Sequence, residues 1–277
     1  MKWWAVDVLI SPERRESVGA WLVARTGHAV EERADGTLVG FAEDEAAAER
    51  LSVAVADEAG VPVQVSCRPL ETVDWRDRWR DGLSPRRIGR LTVTPSWAAL
   101  DGLPSEPVLV MDPETAFGSG EHGSTRTALA LLEGHVRAGD RVLDLGSGSG
   151  ILAIAAVALG AARATGVEID VEANRIAAQN AGRNGVADRV EFLDGDAADL
   201  APLLGPCEIV LSNILRSVNL RLLPVITAAL APAGTAIFAG MELPEAEIFR
   251  PVLERAGLAV IDEAVDAGWW AVAARQG

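Results

Sequence analysis

The chain has 277 residues, 49% of them apolar, with 40 acidic against 25 basic side chains and a formal net charge of −15. That balance argues against a nucleic-acid substrate, whose phosphates need a local excess of cations, and suits a basic protein or an amine drawn by long-range attraction. No apolar run reaches membrane-spanning length without interruption and the N-terminus lacks a signal-peptide pattern. Two cysteines (Cys67, Cys207) and three histidines (His28, His122, His135) show no metal-ligand spacing, so a cytoplasmic protein with free thiols and no metal is expected.

In chain order, residues 1–67 read as a small separate α+β domain. Lys2 to Ile10 alternates as a strand; Ser11 and Pro12 open a helix whose apolar face is Val18, Trp21 and Leu22 and which stops at Gly27. Short strands at His28–Arg33 and Thr37–Phe41 flank the turn Ala34-Asp-Gly36, and an Ala-rich helix at Glu43–Ala59 precedes a strand at Val61–Ser66. The order βαββαβ is that of a ferredoxin-like fold. Residues 68–90, with Trp75 and Trp79 four apart among alternating Arg and Asp, predict a charged amphipathic linker helix between domains. From residue 91 to 277 strands alternate with helices. Strands are expected at Leu91–Thr94, Val108–Met111, Arg141–Leu145, Arg163–Glu168, Val190–Leu193, Cys207–Asn213, Thr235–Gly240, Leu258–Ala264 and Trp269–Ala274, the last two as a hairpin. The repeated βα pattern predicts a doubly wound, Rossmann-like parallel sheet.

The richest stretch is Arg141-Val-Leu-Asp-Leu-Gly-Ser-Gly-Ser-Gly150, where a strand ends in an acid and turns through three alternate glycines into an apolar helix. Gly146, Gly148 and Gly150 let backbone pass close to a ligand at the carboxyl ends of the strands, where open α/β sheets bind. A dinucleotide turn would need its third glycine one residue later, where Ile151 stands; the spacing Asp144-x-Gly146-x-Gly148-x-Gly150 resembles the S-adenosylmethionine loop of class I methyltransferases. Glu168, closing the next strand, is placed for both ribose hydroxyls, and Asp196, one unit later, for an adenine amino group. Gly118, Gly120 and Gly123 match G-x-G-x-x-G literally, but Pro113 separates them from their strand. That segment reads as a loop over the cofactor, with Ser124 or Thr125 capping the following helix. Asn213 ends a buried strand with a polar side chain that can orient an amine or touch the cofactor. Each residue also has a structural reading: a bare Gly-rich turn, a solvated strand end for Glu168, a cap for Thr125, a post-strand turn for Asn213.

Taken together, Asp74-Trp-Arg-Asp-Arg-Trp79, Gly89-Arg-Leu-Thr-Val-Thr-Pro-Ser-Trp97, Asp112-Pro-Glu-Thr-Ala-Phe-Gly-Ser-Gly-Glu-His122, the segment Leu143–Ala155 and Ser212-Asn-Ile-Leu215 resemble the bacterial methyltransferases of large-subunit ribosomal protein 11. The resemblance implies a two-domain, monomeric protein-lysine N-methyltransferase using S-adenosylmethionine. Its small N-terminal domain recognises the ribosomal protein and a mobile linker swings the catalytic domain over several amino groups. It implies cofactor contacts at Thr125, Gly146, Glu168 and Asn213, to which the residue reading adds Gly148, Asp196 and Phe117 of the covering loop; Asn213 is the catalytic candidate. Two departures stand out: the family loop usually reads His-Pro-Thr-Thr where this chain has His122-Gly-Ser-Thr125, and the ribose acid is usually Asp where this chain has Glu168. Methylation of another basic protein or a small amine, and a module that binds the cofactor without turnover, are the alternatives.

Overall fold

The computed structural model describes residues 3–26, 30–33, 36–60, 63–69, 83–98 and 107–276. The chain divides into two compact units, Met1–Arg78 and Trp79–Gly277. Among the described residues no helix is long and apolar enough to cross a membrane.

The first unit runs β1 (Trp4–Leu9), α1 (Pro12–Thr26), β2 (Glu31–Glu32), β3 (Leu38–Ala42), α2 (Glu45–Ala59) and β4 (Gln64–Pro69). Its strands order β2-β3-β1-β4, all neighbours antiparallel, which is the split βαβ connectivity expected from the sequence. Val18 and Leu22 of α1 and Leu51 and Val55 of α2 pack with Val6, Val8 and Leu38 in one buried cluster. The second helix starts two residues later than its apolar pattern suggests because Asp44 is the cap, accepting from Ala47 N at 2.7 Å; Gly60, at φ 62°, closes it.

The second unit opens with β5 (Arg86–Ile88), β6 (Leu91–Thr94) and β7 (Val108–Val110), which form a sheet of their own. This corrects two expectations. The end of the 68–90 linker is a strand, because Gly89 at φ 59° lets Gly89-Arg90 turn and pair Ile88 with Leu91. The strands at 91–94 and 108–110 are not members of the main sheet. Trp75 and Trp79 lie outside the described residues.

The main sheet follows: α3 (Gly123–His135), β8 (Arg141–Leu145), α4 (Ile151–Ala158), β9 (Arg163–Glu168), α5 (Val171–Arg183), β10 (Val190–Asp194), α6 (Ala197–Leu204), β11 (Cys207–Asn213), α7 (Arg216–Ala229), β12 (Leu230–Glu242), α8 (Ala246–Arg255), β13 (Leu258–Asp266) and β14 (Trp269–Gln276). The strand order is β10-β9-β8-β11-β12-β14-β13. The first five strands are parallel, and β14 runs antiparallel to both of its neighbours as the expected terminal hairpin. Helices α3, α4 and α5 bury one face of this sheet, through Leu129, Leu132 and Ile154 among others. Helices α6, α7 and α8 bury the other, through Ala201, Ile226 and Phe249. Near-continuous apolar strands such as Ile209-Val-Leu211 are what a sheet covered on both faces requires. The order reverses between β8 and β11, so the helices after them diverge to opposite faces and leave a crevice at the strand ends.

Candidate active site

The floor of that crevice is the β8–α4 turn. Gly146 and Gly148 hold positive φ (73° and 52°); a Cβ would stand 2.7 Å from Ile214 Cγ2 at the first and 2.6 Å from the Phe117 carbonyl oxygen at the second. Only glycine fits there. Gly150 serves a different purpose from the ligand approach expected of it: its missing Cβ makes room for the Phe192 ring, whose Cζ would otherwise lie at 2.6 Å. The covering loop is tied to the turn by Ser149, whose N–H donates to Phe117 O at 2.8 Å and whose hydroxyl donates to Gly118 O at 2.6 Å.

Asp144, just before the turn, is fully buried. One carboxylate oxygen accepts from Ala153 N at 3.2 Å, and the other has no hydrogen-bond partner. Burial pushes its pKa up to about 7, against the lowering pull of the Ala153 bond, with nearby Glu168 adding to the rise. Glu168 at the end of β9 accepts from three backbone N–H groups: Gly148 at 3.1 Å, Ile169 at 2.9 Å and Asp170 at 3.1 Å. Those bonds aim a half-buried carboxylate into the crevice. Asp196 caps α6 through Ala198 N at 2.8 Å while lining the same space.

Asn213 ends β11. Its Nδ2 donates to Thr125 Oγ1 at 3.5 Å, and its Oδ1 is buried with no partner. The corner it occupies is braced by Asn219, a fully buried side chain on α7. Asn219 accepts from Ser212 Oγ at 2.6 Å and donates to the Ile214 and Ala239 carbonyls, both at 3.0 Å. Sequence reading missed Asn219; its signal is a polar residue inside the stripe Leu222, Leu223, Ile226. His122, not Ser124 or Thr125, is the cap of α3: its Nδ1 lies 2.7 Å from Ser124 Oγ and accepts from Ser124 N at 3.4 Å. Ser124 and Thr125 are buried in the first turn instead. Burial first, and the Arg126 guanidinium second, hold the His122 pKa below its usual 6.5.

Phe117, Gly146, Gly148, Glu168, Asp196 and Asn213 line one cavity of about 520 Å³. Thr125 stands behind it, against Asn213. Because the strands order β10-β9-β8-β11-β12-β14, the lining runs from acids at one end (Asp196, Glu168), over glycines, to Asn213 and then aromatic side chains at the other. Trp269 and Arg221 also line it, and neither was singled out from sequence.

S-adenosylmethionine fits this donor set. Carboxylates at one end accept from ribose hydroxyls and an amino group, bare glycines admit the ligand's chain, and the orphaned Asn213 oxygen awaits a donor. Seven strands in this order around such a cavity define a class I S-adenosylmethionine-dependent methyltransferase. The family model described as ribosomal protein L11 methyltransferase (PrmA) matches residues 3–277, and the chain belongs to that family. It is 42% identical over 212 residues to the ribosomal protein L11 methyltransferase of Pelotomaculum thermopropionicum, covering 76% of this chain and 68% of the relative. It is 39% identical over 196 residues to that of Thermus thermophilus, covering 71% and 75%. A solved structure of the ribosomal protein L11 methylase from Lactobacillus delbrueckii subsp. bulgaricus superposes with a TM-score of 0.63 at 27% identity, covering 70% of this chain and all of that one.

Proposed function

We propose that the protein transfers methyl groups to amino groups of ribosomal protein L11, with residues 1–67 recognising that protein and residues 91–277 performing the chemistry as a cytoplasmic monomer. The observation that carries the reading is the single row of strand ends that sets Glu168, Gly146, Gly148 and Asn213 around one cavity. When bound, S-adenosylmethionine supplies a methyl group on a sulfonium, which a neutral amine attacks in line. Glu168 and Asp196 hold the nucleoside end. Gly146 and Gly148 keep the floor open, and Phe117 covers it and excludes water.

Asn213, steadied by Thr125 and by the Asn219 brace, orients the amine through its unpartnered oxygen. Orientation and water exclusion account for most of the rate in such a displacement, since no charge has to be created from neutral reactants by the protein. The amine sheds its proton to water as it leaves bulk solvent, because desolvation lowers an amine pKa.

Radiolabelled methyl transfer to L11, to a second basic protein and to a small amine tests the reading. Selective labelling of L11 supports it; labelling of the small amine alone replaces it. Asn213→Ala is expected to lower turnover on L11 by about 100-fold or more, with cofactor affinity changed by less than about tenfold. Turnover within threefold of the parent would remove Asn213 from its proposed role.

A further inference from the structure

The helix that follows Glu168, α5, grips the root of the covering loop with its side chains. Asn184, its C-cap, accepts from Val110 N and donates to Val110 O, both at 2.8 Å. One turn earlier Asn180 does the same to Asp112, accepting from its N–H at 3.1 Å and donating to its carbonyl at 3.3 Å. Two residues of extended chain advance about 6.6 Å and four of helix about 6 Å, so amides four apart on α5 meet alternate residues of the segment in step. Arg183 adds an ion pair to the Asp112 carboxylate at 3.3 Å, to which Ser96 also donates through its N–H at 2.9 Å and its hydroxyl at 2.7 Å.

Asn180 differs from Asn184 in a second reach. Its Nδ2 also donates to the carbonyl of Ser149, in the glycine turn, at 3.0 Å. Ser149 returns the connection, since its N–H donates to Phe117 O at 2.8 Å and its hydroxyl to Gly118 O at 2.6 Å. The loop is thereby closed into a ring: Asp112 to Asn180, Asn180 to Ser149, Ser149 to Phe117 and Gly118. Asn180 is fully buried, and with Arg183 Nη1 donating to its oxygen at 2.8 Å all four of its hydrogen-bonding positions are used. The Phe117 side chain, by contrast, is 55% exposed, so its place depends more on these backbone bonds than on packing.

We propose that Asn180 is a positioning residue for the cofactor: it ties the root of the covering loop to the glycine turn, holds Phe117 over Gly148, and so sets how tightly S-adenosylmethionine is retained. The proposal rests on the cofactor assignment within the methyl-transfer reading above. Asn180 stands behind the turn and not in the cavity lining, so its effect passes through Ser149 to the Phe117 and Gly118 carbonyls. A side-chain amide suits the task because one planar group offers an acceptor to Asp112 N and two donors to the Asp112 and Ser149 carbonyls. An aspartate there would turn a second oxygen on those carbonyls, and an alanine would strand three backbone groups. With the ring opened, the placement of Phe117 over the turn becomes one loop arrangement among several. Apparent affinity then falls in proportion to the fraction of molecules that hold the closed arrangement.

Calorimetry of S-adenosylhomocysteine binding to the full-length protein separates positioning from general support of the fold. Asn180→Ala should raise Kd about tenfold, the change produced when the closed loop falls to about a tenth of the population, with the stoichiometry of the parent. A merely structural loss does the reverse, leaving fewer competent molecules and a lower stoichiometry at an unchanged Kd. Ser149→Ala opens the ring from its other side without touching the buried amide, so it carries the test however Asn180→Ala folds; its Kd should rise about fivefold, the loss of one hydrogen bond. Asn184→Ala strips two bonds from Val110 but leaves the ring closed, and its Kd should stay within about twofold of the parent. An unchanged Kd in Ser149→Ala, a rise in Asn184→Ala equal to that in Asn180→Ala, or an Asn180→Ala protein with lowered stoichiometry and the parental Kd overturns the proposal. Failure of the cofactor assignment shows differently, as no binding of S-adenosylhomocysteine by the parent protein.

Discussion

Replacing Asp144 with Asn is expected to stabilise the protein, by an amount that grows with pH. The carboxyl is fully buried at the end of β8, with one oxygen bonded to Ala153 N and the other without a partner. Burial, partly offset by the Ala153 bond and reinforced by Glu168, raises its pKa from 3.8 to about 7. A displacement of that size corresponds to about 4 kcal/mol. The folded protein keeps the proton through a window in which the unfolded chain has released it. The folded state therefore binds more protons there, and stability falls as pH rises. The cost is absent below about pH 4 and complete above about pH 7. Asn keeps an acceptor for Ala153 and removes the charge. Between pH 5 and pH 8 the gain of Asp144→Asn over the parent should grow by about 2 to 3 kcal/mol, several degrees of Tm for a unit near 200 residues. Urea melts of the two proteins at matched pH provide the measurement, because all other titrating groups are common to both and cancel. A gain equal at pH 5 and pH 8, or a loss at pH 8, would refute the assignment of the raised pKa to this carboxyl.

Glu168→Gln removes a carboxylate that accepts three backbone N–H groups and faces the nucleoside end. Cofactor affinity by calorimetry should fall about 10- to 100-fold, the range for a hydrogen bond to a charged group, and a change under about threefold would contradict that role. Gly148→Ala places a Cβ 2.6 Å from the Phe117 carbonyl oxygen at φ 52°. It should cost about 1–3 kcal/mol of stability and most of the activity, read by thermal melts and methyl transfer. Proton NMR titration of His122 should give a midpoint below 6.5. Arg126→Gln should raise that midpoint without restoring 6.5, since burial is the larger cause. A midpoint that does not move would remove the Arg126 contribution.

The main sheet was legible because its punctuation is local. Each strand end announces itself with an acid, a glycine or an Asn after an apolar run, and Glu168, Asp196 and Asn213 of the cavity lining follow directly, with Gly146 and Gly148 between them. What sequence pattern did not reveal is mostly non-local. Arg86–Ile88 is three residues in a charged stretch with no alternation, and only pairing with Leu91 makes it a strand. Membership of β6 and β7 in a separate sheet depends on which strands they meet, which periodicity does not encode. Gly150 looked like its two neighbours, yet its space is taken by Phe192 from another strand. His122 took the cap from Ser124 and Thr125 although Ser and Thr are the commoner caps, because the first turn buries both of them. Trp269 reaches His122 across 147 residues of sequence, and only the hairpin turn brings them together. Asp144 read as a strand end; that it is buried with an unpartnered oxygen is a property of packing alone.

The central claim is tested most directly by intact-mass spectrometry of L11 from the same organism after incubation with this protein and S-adenosylmethionine. The account predicts mass gains in steps of ~14 Da, the mass of one methylene, on lysine or the N-terminal amine, and their appearance about 100-fold more slowly with Asn213→Ala. An unchanged L11 mass, with cofactor binding demonstrated by calorimetry on the same sample, would contradict it.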